Sequence, residues 1–298
     1  MVAVPARRGG KLSDSRGGEL SEEIHENAAR GFNRSAEEYE QGRPGYPAAA
    51  IDLLASELSF GAGSTVVDLA AGTGKLTRAL IATGAHVIAV EPVPGMRAQL
   101  ERAVPAVEAV AGTAEAMPLA TGSADVLLVA QAFHWFDTPK AALEIHRVLR
   151  AGGGLGVIWN VWDDSVEWVA RMQDLVGAHQ GDTPQRGTSA WREQLAASGL
   201  FTPLTDRKLS NIVHGSLDVL LARTASVSFV ATLPESERDK LLSDVGALVA
   251  EHQEAWEDGE LVMPYVTLVT WCRAVVSPAP GGPPPAPGIA PRPAPRIA

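Results

Sequence analysis

The stretch from Thr65 to Thr77, T-V-V-D-L-A-A-G-T-G-K-L-T, leaves this chain little freedom in its choice of fold. Val66 and Val67 form a β-branched apolar run between turn residues, which predicts a buried strand. Ala70, Ala71, Gly72 and Gly74 follow as a tight turn, and Leu76, Leu80 and Ile81 repeat at helical spacing beyond it. A strand, a glycine turn and a helix open a nucleotide-binding α/β unit. Glycine lets the backbone come close to a ligand, and the helix N-terminus then offers N–H groups to an anionic part of it.

Three ligand classes use such a turn. A dinucleotide fingerprint needs G-x-G-x-x-G, and here Thr77 stands where the third glycine belongs. A Walker A loop needs G-x-x-x-x-G-K-[ST]; Gly74-Lys75 fits its end, but Leu69 and Leu76 replace the first glycine and the hydroxyl. The motif D-x-A-x-G-T-G does match, at Asp68, Ala70, Gly72, Thr73 and Gly74. In this it resembles the first motif of class I S-adenosylmethionine-dependent methyltransferases. The resemblance implies that those five residues bind the cofactor S-adenosylmethionine.

The pattern continues downstream. His86 to Val90 predicts a second strand with Glu91 at its end, about twenty positions past the glycine turn. A carboxylate placed there accepts from both hydroxyls of a ribose, whether the ligand is a nicotinamide dinucleotide or S-adenosylmethionine. The turn Pro92 to Met96 resembles the family's E-P-x-x-x-M, which implies that Met96 packs near the adenosine. Val107 to Ala111 predicts a third strand, and Gly112 to Leu119 resembles the family's G-D-A-E-x-L-P-F. That places Thr113 and the Ala114 N–H at the adenine, with a hydroxyl where the family carries an acid. Ser123 to Ala130 is apolar enough for a doubly covered parallel strand. It leads into Gln131-Ala132-Phe133-His134-Trp135-Phe136-Asp137, beyond a strand's carboxyl end, where open α/β sheets bind ligands. Gln131 joins the cofactor set and Trp135 the substrate set. His134 is the candidate general base, by virtue of its pKa range, or else a hydrogen-bonded spacer. Thr138-Pro139 predicts a helix start with Thr138 as N-cap. The helix runs to about Arg150 and stops at Gly152-Gly153-Gly154, and Leu155 to Asn160 predicts the fifth strand.

These motifs, with the A-F-H-W-F-D and R-V-L-R-A-G-G-G stretches, resemble the methyltransferase type 11 group, which includes trans-aconitate-like and ubiquinone-biosynthesis-like enzymes. The likeness spans about Phe32 to Trp162. It implies a Rossmann-like, doubly wound α/β sheet of seven strands, mostly parallel, with the last strand antiparallel and inserted beside the fifth. The sixth strand falls near Leu204 to Val213 and the last at Leu261 to Trp271, where Pro264 fits a bulge or a strand start. Helices are expected at Ala48–Leu58, Lys75–Thr83, Val166–Ala178, Trp191–Ser198, Ser216–Val230 and Glu235–Trp256. The segment Tyr39 to Pro47 resembles the family's Y-x-x-x-R-P-x-Y-P, folded over the cofactor mouth, making Tyr39, Arg43 and Tyr46 lid residues. The chain is thus divided into a disordered start (1–21), N-terminal helices and lid (22–64), cofactor-binding core (65–160), acceptor-pocket helices with the last strands (161–276), and a disordered Pro-rich tail (277–298).

The net charge of −10 opposes sequence-independent nucleic-acid binding. The single Cys272 permits no internal disulfide, and Asp137, Asp163 and Asp164 share no metal-ligand spacing, so no metal is expected. No apolar run reaches membrane-spanning length and no signal peptide is evident. The expectation is a cytoplasmic monomer or homodimer that methylates a small molecule. An NAD-dependent oxidoreductase and a noncatalytic cofactor-binding regulator remain as alternatives.

Overall fold

The structure is a computed structural model, and it describes residues 44–180 and 190–276. The expectations for the N-terminal segment, for Tyr39 and Arg43 and for the Pro-rich tail lie outside these residues. The chain enters as a non-helical segment at 44–47 and forms α1, Ala48–Leu58. It then alternates through β1 (Thr65–Leu69), α2 (Lys75–Ile81), β2 (His86–Val90), α3 (Pro94–Ala103), β3 (Glu108–Val110), β4 (Ala124–Ala130), α4 (Thr138–Val148) and β5 (Leu149–Trp162). The second half comprises α5 (Glu167–Gly177), α6 (Ala190–Ala197), β6 (Thr205–Gly215), α7 (Leu217–Ala225), α8 (Ser228–Ala231), α9 (Glu235–Glu251), β7 (Trp256–Glu257) and β8 (Glu260–Arg273).

The sheet runs in the order β3-β2-β1-β4-β5-β8-β6, with the two-residue β7 forming a hairpin with β8. The pairs from β3 to β5 are parallel. β8 runs antiparallel to both β5 and β6, as expected of the inserted last strand. The expected count is exceeded by β7, in a region expected to be helical to Trp256.

Period-two alternation divides the side chains of the central strands. Val67, Leu69, Leu127 and Val129 pack on one face with Ala141, Ile145 and Val148 of α4 and Trp191 and Leu195 of α6. Val66, Val126, Leu128 and Ile158 pack on the other with Ile51, Leu54 and Leu58 of α1 and Leu76 and Leu80 of α2. A third cluster, separate from both, joins α5, α7, α8 and α9 to Leu261, Met263 and Tyr265 of β8.

Several boundaries differ from the sequence expectation, for local reasons. Helix α4 ends at Val148, ahead of the glycines 152–154, and these lie within β5, which begins at Leu149, passes through a left-handed Gly152 (φ 73°) and continues to Trp162. Asp137, not Thr138, is the N-cap of α4; its backbone N–H donates to Glu115 Oε1 at 3.0 Å, so a distant carboxylate supplies the acceptor. Pro264 sits inside β8 without breaking it. In an antiparallel strand a residue's N and O face the same neighbour. The Pro264 carbonyl accepts from the Asp163 N–H, one residue past the end of β5, so its missing N–H faces a place where no ladder bond is required.

α1 lies very close to β5 because β5 is stripped of side chains there. A Cβ on Gly156 would stand 2.5 Å from Leu128 Cδ2 and 3.1 Å from Leu54 Cδ2, and both leucines are fully buried and cannot swing clear. Gly156→Ala is therefore expected to cost about 1–3 kcal/mol by overpacking, read as a lower urea midpoint. Gly177→Ala, where a Cβ would meet nothing within 4 Å, is the control and should leave the midpoint unchanged or raised.

Candidate active site

The chain places β2 and β3 on one side of β1 and then returns to place β4 on the other. At such a reversal the loops leaving the two neighbouring strands diverge and open a crevice. A cleft lies there, lined by Asp68 near the end of β1, by Ala70, Ala71, Gly72, Thr73, Lys75 and Leu76 after it, and by Ala130 and Gln131 at the end of β4. Pro44 and Tyr46 cover it from the N-terminal segment, and Arg223 reaches it from α7.

The turn after β1 is held in an unusual backbone path. Ala70 (φ 56°), Gly72 (φ 57°) and Gly74 (φ 87°) are left-handed, as is Gln131 (φ 61°) across the cleft. For alanine and glutamine this costs about 1–2 kcal/mol each. The two glycines serve different ends. A Cβ on Gly72 would meet open space, whereas one on Gly74 would press on Leu100 Cγ of α3 at 3.0 Å. The N–H groups of the turn are partly used internally, unlike the free array that the sequence predicts. Gly72 donates to Glu91 Oε2 at 2.8 Å and Gly74 donates to the Ala71 carbonyl at 2.9 Å.

Two buried carboxylates stand at the ends of β1 and β2. Asp68 Oδ2 accepts from Thr77 Oγ1 at 2.5 Å, so the threonine in place of the third glycine has a partner that glycine could not supply. Burial pushes the Asp68 carboxyl up to about 7, with the nearby Glu91 charge adding to the rise and the Thr77 bonds opposing it. Burial likewise raises Glu91, against the pull of the Val93 and Gly72 N–H groups and of Arg97. Glu91 Oε1 takes the Val93 N–H at 2.8 Å while Oε2 takes that of Gly72, so this one side chain fixes the β1 and β2 loops together.

The opposite wall depends on Asn160 of β5. Its Nδ2 donates to the Gly45 carbonyl at 3.0 Å and its Oδ1 accepts from Thr267 Oγ1 (2.6 Å) and from Asn211 Nδ2 (3.2 Å). Asn211 Nδ2 reaches the same Gly45 carbonyl at 3.1 Å, and the Asn160 carbonyl accepts from Gln131 Nε2 at 3.1 Å. The network spans β4, β5, β6 and β8 and pins the covering segment to the sheet.

Of the residues singled out from sequence, the structure brings Asp68, Ala70, Gly72, Thr73, Gln131 and Tyr46 together in the cleft. Gly74 and Glu91 are not among the lining residues, although Glu91 is bonded to Gly72, which is. Met96 is buried in α3, Ala114 is buried after β3, and Thr113 is exposed and paired with Ala116 across a narrow turn. Phe133 is core, packed on Phe136 and Trp191. His134 occupies a 3-10 turn with its ring 4.5 Å from Trp135 and 5.2 Å from Trp159, and neither His134 nor Trp135 lines the cleft. Sequence reasoning passed over Asn160, Asn211 and Arg223. For Arg223 a signal existed: Leu220 and Thr224 place it on the buried side of an amphipathic helix. No group of three or more His, Cys, Asp or Glu side chains is placed to hold a metal among the described residues. No helix among them is long and apolar enough to cross a membrane.

Comparison with known proteins agrees with this geometry. A family model described as a methyltransferase domain (Methyltransf_11) matches residues 67–157. An uncharacterized methyltransferase of Mycobacterium tuberculosis is 38% identical over 244 residues, covering 80% of this chain and 93% of its own. An uncharacterized methyltransferase-like protein of Schizosaccharomyces pombe is 32% identical over 238 residues, with the same coverage. Among solved structures, phosphoethanolamine N-methyltransferase 2 of Haemonchus contortus, in complex with phosphomonomethylethanolamine and S-adenosylhomocysteine, shares the fold. It aligns at TM-score 0.52 and 15% identity, over 85% of this chain and 60% of its own.

The raised Asp68 carboxyl has a measurable signature in the ligand-free protein. Between about pH 4 and about pH 7 the folded state keeps this proton while the unfolded chain releases it, so the contribution of Asp68 to stability falls as pH rises through that window. Asp68→Asn removes the titration. The urea midpoint of the variant relative to wild type should climb from pH 4.5 to pH 8; Glu91 shifts in the same sense in both proteins and largely cancels. A difference independent of pH would contradict the assignment.

Proposed function

This chain belongs to the Methyltransf_11 family of methyltransferases, and on that premise we propose that it transfers a methyl group from S-adenosylmethionine to a small-molecule acceptor. The observation that carries the reading is the cleft at the β1–β4 reversal, with the Asp68 carboxylate in its lining and the Glu91 carboxylate behind Gly72. The donor set suits this cofactor. A carboxylate offers about four acceptor sites, and Glu91 spends two on backbone N–H groups, which leaves two for a vicinal diol. Asp68, whose burial holds its carboxyl up at about 7 in the ligand-free protein, gains negative charge when a positively charged ligand sits beside it.

When bound, the cofactor supplies an electrophilic methyl group on a positively charged sulfur and leaves as S-adenosylhomocysteine. The protein's work is then orientation and exclusion of water. Glu91 holds the ribose and the turn Ala70 to Gly74 lies along the ligand. Met96, Thr113 and Ala114 are assigned to the adenine side. Gln131, fixed by its bond to the Asn160 carbonyl, frames the opposite wall. Tyr46, on the segment pinned through Gly45, closes the mouth. His134, beside Trp135 at the end of β4, is our candidate for removing a proton from an acceptor that must lose one. The acidic balance of the chain supports a small acceptor over nucleic acid. The same balance, with no membrane-spanning helix among the described residues, supports a cytoplasmic protein, monomeric or dimeric.

Isothermal titration of the full chain with S-adenosylmethionine, S-adenosylhomocysteine and NAD tests the reading. Saturable binding of the first two is expected, weakened at least tenfold, or about 1.4 kcal/mol, in Glu91→Ala and less in Glu91→Gln. Binding of NAD alone would overturn it. Formation of S-adenosylhomocysteine in the presence of acceptor mixtures separates an enzyme from a protein that only binds the cofactor.

A further inference from the structure

Arg223 is the least explained residue in the molecule. It lies in the last turn of α7 with 3% of its surface exposed, yet it lines the cleft beside Pro44, Tyr46 and Asp68. Its Nε and Nη1 are buried without a hydrogen-bond partner, and no carboxylate pairs with it among the described residues. A guanidinium stays protonated at any ordinary pH. Leaving such a group buried and uncompensated opposes folding, because water that would solvate it has been removed and nothing has replaced it. A hydrophobic side chain would fill that position at no such cost: Leu220, one turn earlier on the same helix, belongs to an apolar cluster. Among the described residues, Arg223 also borders the cleft.

We propose that Arg223 is the anion-recognition residue of this cleft, receiving a carboxylate or phosphate group of a molecule bound beside the Asp68–Thr73 turn. The proposal deepens the methyltransferase reading and rests on it for the identity of the neighbouring ligand. The anionic group has two sources, the acceptor or the aminocarboxylate arm of the cofactor. Position favours the acceptor. The cofactor wall is built by the loops after β1 and β4, whereas Arg223 comes from α7, in the helical layer packed with α5 and α9 on its own core.

The test uses the full chain with Arg223→Met, which keeps an apolar stem without the charge, and Arg223→Lys, which keeps the charge without the planar fork. Each protein is titrated calorimetrically with S-adenosylhomocysteine and with 5′-methylthioadenosine, which lacks the aminocarboxylate arm. Each is then titrated, free and saturated with S-adenosylhomocysteine, with citrate, succinate and inorganic phosphate. The expected result is saturable binding of at least one of these anions, weakened tenfold or more in Arg223→Met and partly restored in Arg223→Lys, with S-adenosylhomocysteine affinity unchanged. If instead S-adenosylhomocysteine weakens tenfold in Arg223→Met while 5′-methylthioadenosine does not, anion recognition stands and its source is the cofactor. Affinities for all ligands within twofold of wild type in both variants overturn the proposal. Thermal melting guards against a folding artefact: ligand-free Arg223→Met should melt at or above wild type, and a fall of several degrees would mark the guanidinium as a packing element and overturn it. Wild-type protein that takes no S-adenosylhomocysteine would instead overturn the methyltransferase reading, and the anion titrations on the free proteins would still decide the role of Arg223.

Discussion

Asn160 is the joint on which the site depends. Buried polar groups demand partners from somewhere, and one amide side chain supplies them where the covering segment meets β5, β6 and β8. It holds the Gly45 carbonyl, and it accepts from Asn211 and Thr267 on the two strands beyond. Its backbone carbonyl takes the Gln131 side chain. Both faces of the amide are saturated, so the position of the covering segment is set by a closed network and not by an isolated bond. Glu91 plays the matching part across the cleft, where its two oxygens bind the β1 and β2 loops to one another.

What could be read from the sequence was what is local in the chain. The strand, turn and helix of 65–81 lie within one short window, and the helix periodicities of 48–58 and 138–148 need no distant partner to be recognised. The order of the sheet beyond β5 was carried by resemblance. The joint at Asn160 could not be read at all, because Gly45, Asn160, Asn211 and Thr267 lie in four separate stretches of chain, and nothing in any one of them announces the others. The same holds for the cap of α4, where the acceptor is Glu115 and not the adjacent Thr138. The glycines at 152–154 misled because a run of three reads as a stop, whereas here it makes room: a Cβ on Gly154 would stand 2.8 Å from Leu58 Cδ2. Thr77 looked like a defect in a dinucleotide motif until Asp68 was seen opposite it.

The cleft concentrates features that work against folding. Ala70 and Gln131 sit in left-handed backbone, Asp68 and Glu91 are buried acids, and Arg223 is a buried cation with nitrogens left unpartnered. The parallel strands β1, β2 and β4 bury mainly Val, Leu and Ala beneath the helices. Such a clustering is what a preformed site looks like energetically: the surrounding packing holds groups in place that would not stay there on their own account.

Three of the four apolar clusters are distributed in a way that bears on how a chain of this design diversifies. Two of them are the faces of the sheet, and they fix the loops after β1, β2 and β4. The third belongs to α5, α7, α8, α9 and the near end of β8. The covering segment answers to Asn211 and Thr267, on β6 and β8, and so is registered to the strands under that helical layer. Asn160, which ties that cover to β6 and β8, also takes the Gln131 side chain on its backbone carbonyl, so a change at this position reaches the cover and the end of β4 at once. Substitutions within the third core, by contrast, leave the β1 and β2 loops, clasped by Glu91, in place.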